Sequence, residues 1–385
     1  MRNAAPLVVL FALSLAAGCG SSGCTASKQG PAPGDGCLFV EEGSGPAGET
    51  PLRAEVVASG LEVPWGVAFL PDGAILVAER PGGLRRIENG QLLPDPIATV
   101  NITPEGEGGL LGIAADPAFA ANRRLYLYFT APGPKNRIER WIVAEDGRSA
   151  AFDRLLLDGI PAARSHDGGR LAFGPDGYLY ACTGDARTPE SAQDPQALSG
   201  KLLRIGTDGT TPADNPWPGS PAWAIGIRNC EGFDFLDDGR VILADHGPSG
   251  EFGWRGHDEV SLVRKGDNLG WPEIKGCEAR QGLVTPILSW RQAVPPGGGA
   301  IYRGAELPFR GVFLVGTLGS QHLHRVVFSG DRVNRHEVYF QDQLGRIRTV
   351  IQGPDGGLYL TTSNCDGRAE CPPEKDVLVR IRAGG

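Results

Sequence analysis

The sequence lacks a surplus of positive charge and, beyond its first residues, any long apolar run. Thirty-seven Lys and Arg residues stand against 45 Asp and Glu residues, so the 385-residue chain has a net charge of −8. Non-specific nucleic-acid binding requires a basic surface, so this balance argues against a nucleic-acid partner. After Ala17 no stretch approaches the roughly 18 consecutive apolar residues of a membrane-spanning helix. Amphipathic helical periodicity is also missing over more than about two turns.

The N-terminus has the features of a targeting segment. Arg2 provides a positive charge, Leu7–Ala17 is an apolar run, and Cys19 directly follows small residues. This pattern predicts a lipoprotein signal peptide over residues 1–18, with an ordinary secretory signal as the alternative. Residues 19–50 are rich in Ser, Gly and Pro and are predicted to be a flexible tether. The protein is therefore expected to be exported and lipid-anchored at a bacterial membrane, facing the periplasm or the cell surface, with no other membrane contact.

Cysteine is scarce, with eight residues and no C-x-x-C pair. The missing C-x-x-C argues against a structural zinc site, whereas export allows disulfides. If Cys19 carries a lipid, seven cysteines remain, and at least one of them stays unpaired or pairs outside the chain. The short loop between Cys365 and Cys371 predicts a local disulfide. Cys24 with Cys37 and Cys230 with Cys277 are further candidate pairs, and Cys182, in a strand pattern, is predicted to be a buried free thiol.

Glycine is abundant, and one short phrase recurs along the chain. The 57 Gly and 31 Pro residues favour turn-rich β structure. The phrase is a polar turn, typically Pro-Asp-Gly, followed by a short aliphatic and aromatic run, and its copies are spaced roughly 45 to 70 residues apart. This spacing predicts an all-β fold, a six-bladed β-propeller of four-stranded antiparallel blades over residues 51–385. The copies are Leu70–Glu79, Gly174–Asp185, Leu236–His246 and Gly353–Thr362, with degenerate ones at Asp116–Thr130 and Leu307–Leu318.

The repeated turn also assigns each residue a place within its blade. We assign the turn to the connection between the innermost strand and the second strand, so the innermost strands begin at the opposite face. Residues seven to ten positions before each turn should then form a ring at the mouth of the central channel. Asp185 and the His246–Pro248 segment should share that face. The ring positions hold Trp65, Glu107, His166 with Asp167, Arg228 with Asn229, Pro296–Gly298, and Arg346 with Arg348.

These residue types at one mouth suggest a particular chemistry. Converging arginines favour an anion between them, because a guanidinium group binds a carboxylate through two parallel hydrogen bonds. A histidine is a suitable base near neutral pH, and Asp185 would orient His166. A Gly-Pro turn offers backbone carbonyls to a hard cation. Structural alternatives stay open: His166 and His246 as loop residues, Arg228 as a buried ion-pair partner, and Asp258–Glu259 as solvated charge or a cation site.

The same residues lie in motifs that resemble the soluble glucose/sorbosone dehydrogenase family, whose members are six-bladed propellers that use pyrroloquinoline quinone (PQQ) and calcium. The resemblance extends from about Leu52 to Arg382, with the motifs in order in most blades. The motifs are P-W-G-V-A-F-L-P-D-G (Pro64–Gly73), G-E-G-G-L-L-G-I-A (Gly106–Ala114), S-H-D-G-G-R-L-A-F-G-P-D-G (Ser165–Gly177), G-I-R-N (Gly226–Asn229), H-G-P (His246–Pro248), Asp258–Pro272 and G-R-I-R (Gly345–Arg348).

The resemblance implies a quinoprotein that oxidises an aldose sugar at C1 to the lactone. His166 would be the general base that takes the C1 hydroxyl proton while a hydride passes to PQQ, and Asp185 would support His166. A separate electron acceptor, a cytochrome or a quinone, would be needed because no C-x-x-C-H haem-attachment motif is present. The resemblance further implies that Arg228 and Asn229 contact the quinone edge and that Arg346 and Arg348 bind the PQQ carboxylates. Carbonyls of Gly247 and Pro248 would bind Ca²⁺, and Glu107 would contact the sugar.

The chain also departs from the family pattern. Gly319 stands where the family typically has a Lys, and Glu231 stands where a Gln is usual. The segment Pro295–Gly299 replaces a familiar A-P-S-G, and Ser165 replaces an Asp found in some members. Two other hypotheses therefore accompany the dehydrogenase: a non-catalytic propeller that binds a carbohydrate or a protein, and a calcium-dependent lactonase. The lactonase would need a ring of carboxylates and Asn at the mouth, which is instead rich in arginine.

Overall fold

The computed structural model describes Met1 and residues 35–103, 105–133 and 135–384. Apart from Met1, the predicted signal peptide lies outside these residues, as do Cys19, Cys24 and the first part of the predicted tether. Among the described residues, no helix is long and apolar enough to cross a membrane.

The described part of the chain is almost entirely β structure. Its only helical segments are the four-residue helix α1 (Phe119–Asn122) and two 3-10 turns (Pro189–Gln193 and Glu251–Gly253). The strands are β1 Leu38–Val40, β2 Leu52–Leu61, β3 Pro64–Phe69, β4 Ile75–Glu79, β5 Gly83–Glu88, β6 Gln91–Leu92, β7 Ala98–Thr99, β8 Leu110–Ala115, β9 Arg124–Ala131, β10 Lys135–Val143, β11 Ala150–Pro161, β12 Leu171–Phe173, β13 Leu179–Cys182, β14 Lys201–Ile205, β15 Ala222–Ile225, β16 Cys230–Phe235, β17 Val241–Asp245, β18 Glu259–Val263, β19 Leu288–Trp290, β20 Pro296–Tyr302, β21 Val312–Thr317, β22 Leu323–Ser329, β23 Arg332–Tyr339, β24 Ile347–Gln352, β25 Leu358–Thr362 and β26 Asp376–Ala383.

These strands form the six blades of a β-propeller, which confirms the predicted fold. Blade one is β3-β4-β5-β6, with β7 beside β5, and the next four blades are β8 to β11, β12 to β15, β16 to β19 and β20 to β23. Blade six combines the C-terminal strands β24, β25 and β26 with the N-terminal β2. In this last blade β2 pairs antiparallel with β26, with Leu52 opposite Ala383, so the two ends of the propeller close the ring by hydrogen bonds.

The recurring phrase is a turn held by its own aspartate. Gly73, Gly177, Gly239 and Gly356 all have positive φ, between 76° and 85°, a conformation that favours glycine. In each turn the preceding Asp accepts a backbone hydrogen bond from the residue two positions on, as Asp72 does from Ala74 N at 3.0 Å. The phrase therefore encodes a tight connection between the first and second strands of a blade, as predicted.

Close packing around the channel depends on glycine at the innermost strands. A Cβ on Gly112, in β8 of blade two, would lie only 2.0 Å from the carbonyl oxygen of Gly169, which precedes β12 of blade three. Real Cβ atoms do not approach a backbone that closely, so a larger residue would push the two blades apart. The channel wall thus fixes the distances between residues that different blades contribute to its mouth.

The segment from Asp35 to Thr50 differs from the predicted flexible tether. Strand β1 pairs in parallel with β19 and adds an outer strand to blade four. Cys37 forms a disulfide with Cys277, which attaches the same segment covalently to this blade. This part of the chain is therefore bound to the propeller. A three-residue strand has too little periodicity to be detected in the sequence, so the pairing was not predicted.

The disulfides only partly follow the predictions. Cys365–Cys371 is formed as expected. Cys182 and Cys230 form a buried disulfide, so the predictions of a free Cys182 thiol and of a Cys230–Cys277 pair were wrong, and so was the pairing of Cys37 with Cys24. The second strand of blade three ends beside the first strand of blade four, and this neighbourhood is set by the propeller rather than by sequence distance.

Three of the six histidines form a hydrogen-bonded row in blade five, in which His322 and His324 are fully buried and His336 is half-buried. His322 Nε2 lies 3.1 Å from His324 Nδ1, and His324 Nε2 lies 3.3 Å from His336 Nδ1. His322 Nδ1 lies 3.0 Å from the carbonyl oxygen of Ser320, so this nitrogen must carry the proton of the ring. The hydrogen bonds along the row of three histidines are then consistent with three neutral imidazoles. Burial lowers the pKa of His322 to about 4 and also lowers the pKa values of His324 and His336, although Asp342 and Glu337 act in the opposite direction.

The row of three histidines predicts that the fold is sensitive to acid. A histidine whose pKa is depressed in the folded state stabilises the fold fully above its unfolded pKa of about 6.5, and the stability is lost as the pH falls below that value. We expect the free energy of unfolding to fall below about pH 6.5, by up to about 1.4 kcal/mol per pH unit for each of these histidines. Urea unfolding between about pH 7.5 and pH 5 would measure this slope. The double variant His322→Gln, His324→Gln should show a shallower slope, and an unchanged slope would assign the acid sensitivity to other groups.

Candidate active site

The mouth of the channel holds a polar cleft of about 560 Å³. Four of the residues predicted for the rim lie together in its wall although they come from three different blades or their connections. These are Glu107, His166, Arg228 and Asn229. The other residues that line the cleft are Ser165, Arg187, His246, Ser249, Gly250, Glu251 and Arg368.

His166 is oriented by a buried carboxylate, as the sequence predicted. Its Nδ1 lies 2.7 Å from Asp185 Oδ1, and Asp185 is completely buried. Trp271 Nε1 donates to Asp185 Oδ2 at 2.8 Å, and Arg187 N donates to Asp185 Oδ1 at 2.8 Å, which fixes the carboxylate. Because a carboxylate can only accept, the neutral imidazole carries its proton on Nδ1. The lone pair of Nε2 is therefore left available to the cleft.

The backbone around His166 is also constrained. His166 has φ of 66°, in the left-handed region that few non-glycine residues adopt, and Gly168 and Gly169 follow with positive φ. The backbone N–H of His166 donates to Glu107 Oε2 at 3.0 Å, which ties it to blade two. Burial disfavours a charged Glu107, but Arg368 and this hydrogen bond outweigh it and keep the pKa of Glu107 below its usual value. Strained backbone conformations of this kind are concentrated at functional sites.

Arg228 lies beside His166 and is held by a carboxylate that the sequence did not single out. Its Nη2 donates to Glu251 Oε1 at 2.8 Å, and the same oxygen is 3.8 Å from His166 Nε2. Burial opposes ionisation of Glu251, but backbone hydrogen bonding and Arg228 lower its pKa to about 2. The guanidinium also lies 5.6 Å from the ring centre of Trp271. Among the described residues, Arg228 Nε is buried without a hydrogen-bond partner.

Arg346 and Arg348 are close to the cleft but do not line it. Arg346 donates to Asp366 Oδ2 through both Nε and Nη2, at 3.1 and 2.8 Å. Arg348 forms a buried ion pair with Glu231, whose other carboxylate oxygen accepts from Asn229 Nδ2 at 3.3 Å. Glu231 therefore joins Arg348 to the cleft wall. The sequence placed both arginines on the ring at the mouth, but neither lines this cleft and each already has an internal carboxylate partner.

The predicted cation-binding turn lies directly beside Arg228 and His246. Asp258 Oδ1 accepts from Gly247 N at 2.9 Å, and Asp258 is buried, so it holds the turn in place. In the described part of the chain, the carbonyls of Gly247 and Pro248 accept no hydrogen bond. The described residues contain no cluster of three or more His, Cys, Asp or Glu side chains arranged to hold a metal ion.

Sequence reasoning missed several residues that shape this site. Glu251 follows a Gly in a charged loop, a pattern usual for a solvated surface, so no signal distinguished it. Trp271 lies in a family-like motif without an assigned role, and only the fold brings it to Asp185. Asp366 and Arg368 lie between Cys365 and Cys371, and the predicted disulfide was the one available sign that this loop is held at the end of β25.

Two of the departures from the family pattern prove to be neighbours. Leu318 N donates to Pro295 O at 2.9 Å, and a Cβ on Gly319 would lie 3.2 Å from Pro295 Cγ. The blade-five sector of the mouth therefore lacks both the Lys and the A-P-S-G segment that are usual in the family. The Pro296 carbonyl of this sector lies 2.5 Å from Nε2 of His246, which lines the cleft.

Taken together, the cleft offers a base, an oriented cation and a set of anion-binding groups. An imidazole nitrogen with a free lone pair can take a proton from a hydroxyl group. A guanidinium beside it can stabilise negative charge that develops on a nearby oxygen. His166 and Arg228 are both buried, and a preorganised, buried environment strengthens both effects.

Comparison with known proteins points to one family. A sequence model described as "Glucose / Sorbosone dehydrogenase" matches residues 61–378. The aldose sugar dehydrogenase YliI of Escherichia coli K12 is 31% identical to the chain over 345 residues, covering 82% of this chain and 91% of that protein. Quinoprotein glucose dehydrogenase B of Acinetobacter calcoaceticus is 31% identical over 270 residues, covering 60% of this chain and 54% of that protein.

A solved structure gives the same picture. The PQQ-bound form of the aldose sugar dehydrogenase from Streptomyces coelicolor superposes with a TM-score of 0.78 at 34% sequence identity. The superposition covers 88% of this chain and 99% of that one. The likeness therefore extends over the whole propeller.

Proposed function

Because the chain belongs to the glucose/sorbosone dehydrogenase family, we propose that it is a PQQ-dependent dehydrogenase that oxidises an aldose sugar at C1 to the lactone. The observation that carries the proposal is the His166–Asp185 pair beside Arg228 in a cleft of about 560 Å³. The relatives described above are sugar dehydrogenases or quinoproteins, which supports the same reaction class.

The residues at the mouth fit a flat, anionic cofactor. Buried Nε atoms of Arg228 and Arg348 lack a hydrogen-bond partner among the described residues, although a buried donor normally has one. The amide of Asn229 and the guanidinium of Arg228 would contact the quinone edge, and Arg346 and Arg348 would bind the cofactor carboxylates. When bound, PQQ supplies the quinone that accepts the electron pair and the hydrogen leaving C1 of the sugar.

The protein residues then perform the proton transfer and the orientation of the sugar. His166 Nε2 takes the proton of the C1 hydroxyl, and the resulting imidazolium is stabilised by Asp185 through Nδ1–H. Arg228 would stabilise negative charge that develops beside its guanidinium group. Glu107, which holds the backbone of His166, lines the cleft and accepts from a sugar hydroxyl.

Three further features belong to the same proposal. Calcium would bind the carbonyls of Gly247 and Pro248, because hard cations prefer oxygen ligands. A separate cytochrome or quinone would reoxidise the cofactor. Export and lipid anchoring at Cys19 would place the enzyme at a bacterial membrane, facing the periplasm or the cell surface.

Reconstitution tests the function. The purified protein should be loaded with PQQ and Ca²⁺ and assayed for reduction of an artificial electron-acceptor dye with a panel of aldoses. We expect sugar-dependent dye reduction and PQQ absorbance that is retained after gel filtration. Retained sugar binding with no dye reduction and no PQQ would instead indicate a non-catalytic carbohydrate-binding propeller.

Glu231 predicts a limit on cofactor affinity. Its buried carboxylate neutralises Arg348 and adds negative charge to a site for an anionic cofactor. Glu231→Gln keeps the shape and removes the charge, so we expect PQQ to bind about tenfold tighter, which is about 1.4 kcal/mol. An absorbance titration measures the change. Glu337→Gln, which alters a buried partner of Arg325 in blade five, is the matched control and should leave PQQ affinity unchanged. Weaker binding in Glu231→Gln would show that Glu231 positions Arg348 rather than competing with PQQ.

A further inference from the structure

The loop that connects β25 to β26 brings an arginine into the cleft. A disulfide between Cys365 and Cys371 closes the central part of this loop. Between the two cysteines, Arg368 lines the cleft with a side chain that is 50% exposed. Its Nη2 lies 2.9 Å from Glu107 Oε1, so the loop of blade six forms an ion pair with the connection that leads into blade two. Ion pairs this exposed contribute little to stability, so the contact alone assigns no role to Arg368.

Glu107 is distinguished by what it holds on its other side. Its second carboxylate oxygen accepts the backbone N–H of His166 at 3.0 Å, and its own N–H donates to the carbonyl oxygen of Arg164 at 3.0 Å. A Cβ on the preceding residue, Gly106, would lie 1.9 Å from the same carbonyl oxygen, so the two loops are in direct backbone contact. A displacement of Glu107 would therefore be transmitted to the segment that carries His166.

The backbone of His166 depends on such support. Its φ of 66° is costly for a residue with a side chain, and such a conformation persists only where the surroundings hold it. The hydrogen bond to Asp185 fixes the imidazole ring, whereas Glu107 binds the backbone N–H. Burial favours the neutral form of Glu107, and the charge of Arg368 is the strongest of the effects that keep the pKa of this carboxyl below its usual value. Arg368 thus helps to keep the acceptor of the His166 N–H ionised.

We propose that Arg368 is a positioning residue of this enzyme, which acts through Glu107 on the backbone of His166. The inference rests on the proposed function, in which His166 is the base. A base that is displaced by a fraction of an ångström loses its alignment with the hydroxyl proton, so a contact outside the reacting atoms can control the rate.

The structure of the loop fixes the location of Arg368. Asp366 Oδ1 accepts the backbone N–H of Arg368 at 2.9 Å, while Oδ2 of the same carboxylate accepts from Arg346 Nη2 at 2.8 Å. The disulfide restricts the conformations that the loop can adopt on both sides of this arginine. The Cys365–Cys371 disulfide is therefore part of the proposed support.

Arg368→Gln and Arg148→Gln form a matched pair of variants. Arg148 Nη2 also lies 2.9 Å from a glutamate oxygen, that of Glu88, and the Arg148 side chain is 54% exposed. The other oxygen of Glu88 binds Arg86 and not a backbone N–H beside the cleft. Each substitution thus removes one ion pair of the same length and exposure, but only one of them is connected to the proposed base. Circular dichroism confirms that each variant is folded.

Hydrogen exchange of the His166 amide tests the support without the reaction. It is measured by mass spectrometry on the full chain, before and after PQQ and Ca²⁺ are added. We expect this amide to exchange about tenfold faster in Arg368→Gln and at the wild-type rate in Arg148→Gln. Arg368→Lys should stay within about threefold of wild type, because an ammonium group can still pair with Glu107. A wild-type exchange rate in Arg368→Gln would overturn the proposal.

Steady-state dye reduction by the loaded enzyme tests the consequence. In Arg368→Gln the kcat should fall about tenfold while the KM for the aldose stays within about threefold, because the base is displaced and the sugar contacts remain. A raised KM with a wild-type kcat would assign Arg368 to sugar binding and contradict the positioning role. Faster exchange in a protein whose wild type reduces no dye would keep the support of His166 and remove the proposed function. Dye reduction by wild type with unchanged exchange in the variant would do the reverse.

The double variant Cys365→Ser, Cys371→Ser tests the contribution of the disulfide. We expect the His166 amide to exchange about threefold faster, because the opened loop holds Arg368 less firmly. Adding Arg368→Gln to the double variant should give the rate of Arg368→Gln alone, since both changes act through one contact. An unchanged rate in the double variant, or effects that multiply, would show that the disulfide does not act through Arg368.

Discussion

Replacing His166 with Asn should reduce kcat/KM for aldose oxidation by about three orders of magnitude. The amide cannot take up the proton of the C1 hydroxyl group, whereas the imidazole Nε2 faces the cleft with its tautomer fixed by Asp185. PQQ affinity should stay within about twofold, because no cofactor-binding role is assigned to His166. Dye-reduction kinetics and an absorbance titration of PQQ measure the two quantities separately.

The control for this variant is another histidine. His257 stacks on Phe39, with ring centres 5.6 Å apart, and does not line the cleft, so His257→Asn should keep wild-type kinetics. If His166→Asn retained activity within about tenfold, the base would have to be another group. Glu251, whose Oε1 is 3.8 Å from His166 Nε2, would be the first to test, with Glu251→Gln.

Replacing Arg228 with Lys should lower kcat by about two to three orders of magnitude, with a smaller effect on KM. Lysine keeps the charge but loses the planar fork that is held by Glu251 and lies beside the ring of Trp271. The stabilisation lost is specific to charge that develops during the reaction, so kcat should fall more than affinity. Stopped-flow measurement of cofactor reduction in a single turnover isolates this step.

Arg187→Lys is the matched control for Arg228. Arg187 lines the same cleft, but its side chain binds Ser165 Oγ at 3.1 Å and reaches neither His166 nor Glu251. We expect its kcat to stay within about threefold of wild type. Equal losses in the two variants would mean that the cleft needs guanidinium groups in general rather than Arg228 in its place beside His166. A change in KM alone for Arg228→Lys would assign Arg228 to binding rather than to the chemical step.

The arrangement of the mouth was predictable because the propeller is regular. Each Pro-Asp-Gly turn is closed by its own Asp and a glycine with positive φ, which are local interactions. Counting back from these turns placed Glu107, His166 and Arg228 at one rim, and the structure brings all three into one cleft. Blade geometry repeats, so equivalent positions in successive blades lie at the same level along the channel axis.

Contacts between segments that are distant in sequence were not predictable in this way. Cys182 pairs with Cys230 because two blades adjoin there, and Cys37 reaches Cys277 because β1 adds to blade four. The turn phrase carries no information on such pairings, since they depend on the relative placement of blades and on the path of a short terminal segment.

The sequence by itself determined the six blades, the turns between their first two strands and three ionisable groups of the cleft, Glu107, His166 and Arg228. Only the tertiary structure decided how those groups are paired: Arg228 with Glu251, Arg346 with Asp366 and Arg348 with Glu231. The physical reason is that the interactions involved act over different distances along the sequence. Turn geometry depends on a few bonded neighbours, whereas the charge state and the free hydrogen-bonding capacity of an arginine depend on carboxylates that another blade or loop places within about 3 Å of it.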